Sequence, residues 1–119
     1  MTSEELSKII ITILDRKKAS DITCIGITDL TIIADRFIIA TATSSTHLNS
    51  LGDELEYEIK TQHGIMPRGI EGKATGWLVV DYGDVIVHLF TADVREHYNI
   101  ERLWADGQQI DISSYITEN

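Results

Sequence analysis

Residues able to do chemistry are sparse in this chain, and their spacing assembles no catalytic group. Asp81 and Asp84 bracket a break at Gly83, and His88 lies a few residues further on. Cys24 is the single cysteine, while His47, His63 and His97 fall on or near segments of helical pattern. Nucleotide transfer needs a Gly-Ser turn opening a helix, then two carboxylates at alternate positions on the next strand to hold metal and phosphates. Here the turn reads Ala42-Thr43-Ser44, and no Asp-x-Asp or Asp-x-Glu follows the helix. Asp81 and Asp84 therefore read as turn formers. His88 has no Cys or Ser nucleophile near it in sequence, and nothing beside Cys24 would activate a thiolate. Asp53, Glu54, Glu56 and Glu58 match no metal-loop spacing and read as a solvated helix face. No catalytic residue, metal ligand or cofactor is expected. What remains is recognition.

The stretch that could recognise a partner is 77–90, two runs of β-branched and aromatic residues split by Gly83-Asp84. Such a two-residue break predicts a β-hairpin, with Gly supplying positive φ. The register then pairs Tyr82 with Val85, Asp81 with Ile86, Val80 with Val87, Val79 with His88, Leu78 with Leu89 and Trp77 with Phe90. Alternation sorts these into two faces. Leu78, Val80, Tyr82, Val85, Val87 and Leu89 form a core face. Trp77, Val79, Asp81, Ile86, His88 and Phe90 form a mixed face, and these six are the candidate partner-binding residues. Aromatic anchors, a central His and few charges suit an interface core. Burial under a helix is the alternative for Trp77 and Phe90, because large aromatics are usually covered.

The elements that must position this hairpin follow from periodicity. Leu6, Ile9, Ile10, Ile13 and Leu14 make an apolar helical stripe behind a Thr2/Glu5 capping box. Arg16, Lys17 and Lys18 suit that helix's C-terminal end. Residues 19–27 alternate as a strand, and 28–35 make an irregular connection. The run Phe37-Ile38-Ile39-Ala40 marks a central strand buried on both faces. A second helix starts at Ser44 or Ser45, buries Leu48, Leu51, Leu55 and Ile59, and stops at Gly64 before Pro67. Gly52 on this helix signals close approach to the sheet. A short strand is expected over 68–72, then the hairpin. A last helix is capped by Thr91, with Asn99 as a break and second cap. The strand 36–42, its helix and the next strand are expected to form a parallel crossover.

The result is one α/β domain, a mixed sheet of about five strands flanked by helices. Residues 1–106 make the domain, and 107–119 a tail that either packs as an extended strip or is mobile. The 119 residues, 43% hydrophobic, suffice for a single core. A formal charge of -9 disfavours phosphate backbones and favours a basic protein partner. No apolar run reaches the length of a membrane span, and a single cysteine points to a reducing cytosol.

Several motifs together resemble the Iojap family, also called ribosomal silencing factors. They are Lys17-Lys18-Ala19 with Asp21-Ile22, and Ala34-Asp35 before Phe37-Ile38-Ile39-Ala40-Thr41. Then come Glu71-Gly72, Gly76-Trp77, Asp81-Tyr82-Gly83-Asp84, Val87-His88, Arg95, Tyr98 and Leu103-Trp104-Ala105-Asp106. The ordered set covers residues 17 to about 106. Arg36, Ala42, Gly26 and Thr46 depart from the pattern, and Ala42 weakens any analogy to phosphate binding at the second helix. The resemblance implies a fold similar to the nucleotidyltransferase core, without known catalysis. It also implies a cytoplasmic factor that binds the large ribosomal subunit through the fourteenth large-subunit protein, blocks joining of the small subunit and represses translation under nutrient limitation. A nucleotidyltransferase-like enzyme or nucleotide-binding protein is the alternative. No membrane and no sequence-specific nucleic acid is expected as partner, and a homodimer through the same surface is the rival use.

Overall fold

The computed structural model describes residues 1–116. Helix α1 (Ser3–Arg16) begins where the Thr2 hydroxyl accepts from the Glu5 N–H at 3.1 Å. Strand β1 (Ser20–Gly26) leads through an irregular loop to β2 (Arg36–Ala42), whose residues from Phe37 onward are all buried. Helix α2 (Ser45–His63) starts at Ser44, whose hydroxyl accepts from the His47 N–H at 3.0 Å. It ends at Gly64, in the left-handed region at φ 68°. A Cβ at Gly52 would overlap Leu78, so α2 lies against the sheet at the glycine the sequence singled out.

Strands β3 (Gly69–Glu71), β4 (Trp77–Asp81) and β5 (Val85–Thr91) follow, then α3 (Ala92–Tyr98), α4 (Ile100–Leu103) and β6 (Gln108–Gln109). Thr91 occupies the cap position of α3 without a side-chain capping bond. Asn99, at φ 43°, breaks α3 from α4 as expected. The sheet order is β3-β4-β5-β2-β1-β6. Among the described residues it has six strands where about five are expected, because residues at the start of the expected tail pair with β1. Gln108 and Gln109 lie opposite Gly26 and Ile25, Ile110 N–H donates to the Cys24 carbonyl, and Ile112 enters the core.

The crossover also differs from expectation. The parallel neighbour of β2 is β5, with Phe37 opposite Ile86 and Ile39 opposite His88. Strand β3 runs in the same direction as β2 but sits at the edge, with β4 and β5 between them. A strand buried on both faces needs the longest apolar neighbour available, and Val85–Thr91 outcompetes the three-residue β3 for that place.

Helices α1 and α2 cover one face, burying Ile10, Leu14, Leu51, Leu55 and Ile59 against Ile38, Val80, Val87 and Leu89. Each buried aliphatic side chain of this kind contributes about 1.5–3 kcal/mol. Helices α3 and α4 cover part of the other face, around Ile25, Ile39, Phe90 and Ile100.

A half-covered sheet face

The β4–β5 hairpin has the register read from its sequence, from Asp81 opposite Ile86 to Trp77 opposite Phe90. Tyr82 N–H closes the turn on the Val85 carbonyl at 2.9 Å, and Gly83 takes φ 89°. The Asp81 carboxylate accepts from the Gly83 N–H at 2.7 Å, the turn-forming role expected of it. That bond commits one carboxylate oxygen to the backbone. Among the described residues no group of three or more His, Cys, Asp and Glu could hold a metal ion.

The six candidate residues do share one face, but α3 and α4 divide it. Phe90 is 0% exposed and belongs to the second apolar cluster, so the expectation that it faces a partner is corrected. His88 is only 8% exposed. Trp77, Val79, Asp81 and Ile86 remain half-buried, with the exposed Gly69 and Glu71 beside them on β3. Arg68, Gly69, Glu71, Val79 and Asp81 line a shallow groove, and Glu71, Gly72, Thr75, Trp77 and Val79 line its continuation. The division has a physical cause. Strands β1, β2 and β5 carry Ile25, Phe37, Ile39 and Phe90 on this side and need a lid, whereas β3 contributes only Gly69 and Glu71.

Aromatic rings fix Trp77 in place. Its indole stacks on Phe90 with centroids 5.0 Å apart and meets Tyr98 of α3 at 4.9 Å. Its N–H donates to Nδ1 of His88 at 3.2 Å. Phe37 packs edge-on against His88 at 4.7 Å and against Trp104 at 5.0 Å. Burial pushes the His88 imidazole down to about 4, so the ring is neutral at ordinary pH. With Nδ1 accepting, Nε2 carries the proton, and it is buried without a hydrogen-bond partner among the described residues. This imidazole has no free lone pair with which to act as a base.

Arg95 anchors the lid. Its Nη1 donates to the Asp21 carbonyl at 2.7 Å and the Thr41 hydroxyl at 2.8 Å, while Nε and Nη2 fork onto Glu101. Phe37 and Trp104 were missed as walls of the His88 site. The parallel β2–β5 register that brings Phe37 there is non-local, and no signal within either segment reports it.

Comparison with known proteins gives this face its context. A family model described as "Ribosomal silencing factor during starvation" matches residues 1–119. The ribosomal silencing factor RsfS of Halalkalibacterium halodurans is 30% identical over 118 residues, 98% of this chain and 100% of that protein. A mouse protein named mitochondrial assembly of ribosomal large subunit protein 1 is 33% identical over 101 residues, 80% of this chain and 43% of that one. A crystal structure of a protein from Chromobacterium violaceum superposes with a TM-score of 0.84 at 34% identity, covering 95% of this chain and 93% of that one. With one family model spanning the whole chain and relatives and structures agreeing over nearly all of it, this protein belongs to the RsfS family of ribosomal silencing factors.

Proposed function

We propose that this protein binds the large ribosomal subunit through its fourteenth protein, on the surface that meets the small subunit, and so blocks subunit joining and represses translation when nutrients are short. The observation that carries this reading is the uncovered half of the sheet face, where Trp77 stands pre-positioned by three rings beside Val79, Asp81 and Ile86. A rigid aromatic anchor on a mostly apolar face with charged residues at its margin is what a protein–protein hot spot uses. Trp77, Val79, Asp81 and Ile86 meet the partner directly, and His88 and Phe90 support them from behind. The mouse relative's name also refers to the large subunit. The charge of -9 favours a basic ribosomal protein over RNA phosphates as the contact. The protein acts in the cytoplasm with the ribosomes, as a binding factor rather than an enzyme.

The test is sedimentation of purified protein with separated subunits, combined with a subunit-joining assay. Native protein should travel with large subunits and keep small ones from joining. Trp77→Ala should weaken binding by on the order of 2 kcal/mol or more. Rising salt should weaken association with the isolated ribosomal protein. Tight binding to protein-free ribosomal RNA, with none to the protein, would refute the reading.

A further inference from the structure

The loop 28–35 between β1 and β2 holds aliphatic side chains that the fold does not use. Ile32 is fully exposed, Ile33 59% and Leu30 42%. The backbone beneath them is nonetheless well bonded. Leu30 and Thr31 N–H groups donate to the Ile27 carbonyl at 2.9 and 3.0 Å, and Ile33 N–H to the Thr31 hydroxyl at 3.2 Å. Asp35 and Arg36 N–H groups both donate to the Asp84 carbonyl, tying the loop to the hairpin turn. The next residue along, Ala34, is buried in the same apolar cluster that Ile86 packs against. The loop therefore rises directly from the edge of the open face. Asp29 and Asp84 are exposed beside it, with Asp35 at its base.

We propose that Leu30, Ile32 and Ile33 form a second docking element, which seats on an aliphatic surface rimmed by Lys or Arg on the partner protein. This rests on the reading of the Trp77–Val79–Ile86 face as the partner surface and extends that face around its end. Three neighbouring aliphatic side chains on a pinned loop lose little conformational freedom when a partner covers them. The carboxylates around them select a cationic rim and repel phosphates. Aliphatic tips also offer no plane on which a base could stack, so RNA is a poor occupant.

The experiment uses the full chain with the double substitution Ile32→Ser and Ile33→Ser, with Trp77→Ala in parallel. Binding to purified large ribosomal subunits, thermal melting and the mass of the free protein are measured on the same preparations. The loop variant should melt like the native protein and bind roughly tenfold or more weakly. Ile32→Lys should weaken binding more than Ile32→Glu, because the rim it meets is cationic. Unchanged affinity of the loop variant beside weakened Trp77→Ala would overturn the docking element and leave the face standing. Weakened loop variant beside normal Trp77→Ala would keep the loop and remove the face. Equal losses for Ile32→Lys and Ile32→Glu would overturn the cationic rim. A free-protein mass that halves in the loop variant would make the loop a self-association surface and overturn the proposal.

Discussion

The indole N–H of Trp77 donates to Nδ1 of His88 across the diagonal of the β4–β5 pair, at 3.2 Å. One residue is half-buried and the other almost wholly so. The buried ring thus decides the orientation of the accessible one, and its protonation state reaches the surface through a single hydrogen bond.

That relationship makes stability depend on pH. The unfolded imidazole titrates near 6.5, whereas burial holds the folded one down at about 4. Between these values the unfolded chain binds the extra proton, so stability is fully present above about 6.5 and falls as pH drops toward 4. The loss is on the order of 3 kcal/mol. Urea unfolding at pH 7, 5.5 and 4.5 should show it, and His88→Phe should flatten the part of the decline that belongs to this ring.

Tyr82 gives the complementary case. Its hydroxyl is buried without a hydrogen-bond partner among the described residues, and burial, aided by the charge of Glu56, pushes its pKa up to about 12. Stability from this group is complete below about pH 10 and is lost as pH rises toward 12. Removing an unpartnered hydroxyl relieves a desolvation cost, so Tyr82→Phe should be neutral or stabilising by about 1 kcal/mol at pH 7. A melt that drops by several degrees would show that the hydroxyl has a partner in solution.

The hairpin's core face tolerates no charge. Val80 and Val87 are opposite each other and 0% exposed. Val80→Asp and Val87→Asp each bury an unpaired carboxylate and should abolish the cooperative thermal transition. A melt within a degree or two of native would contradict the register.

Arg95 holds the lid by a fork to Glu101 and a bond to β1 and β2 through Asp21 and Thr41. Arg95→Lys keeps the charge but loses the planar fork, and should cost about 1–2 kcal/mol. Amide exchange should then rise in α3 ahead of α1 and α2. Uniform exchange across all helices would mean that the lid does not open on its own.

The parts legible in the sequence are those whose causes are local. The hairpin register follows from a two-residue turn, and the caps at Thr2, Ser44 and Gly64 are each set within a few residues. The burial of 37–40 on both faces is written in an uninterrupted apolar run. What was not legible depends on partners far apart in the chain. The choice of β5 as neighbour of β2 is of this kind, and so is the burial of Phe90 in one cluster with Ile100 while Trp77, directly opposite it on β4, stays half open. Gln108 and Gln109 have no strand-like composition and pair only because β1 presents an edge. The six candidate residues lie on one face, as alternation implies, with Phe90 and His88 covered and Trp77, Val79, Asp81 and Ile86 half-buried.

The parallel placement of β5 beside β2 also sets an order of events during synthesis. Strand β2 is complete at residue 42, but the strand that occupies its other side begins at 85. Until the hairpin emerges, an uninterrupted apolar strand has one edge of unpaired backbone groups, the condition under which chains add strands to one another. Closing the sheet means inserting the hairpin as a preformed unit, because β4 and β5 meet locally and quickly while β2 and β5 meet only across a long loop. The same hairpin that carries Trp77 therefore fills the open edge of β2, and only the two-residue β6 joins the sheet from further along the chain. A chain truncated after α2 should aggregate, and the face that carries Trp77 comes into being at the step that covers the open edge of β2.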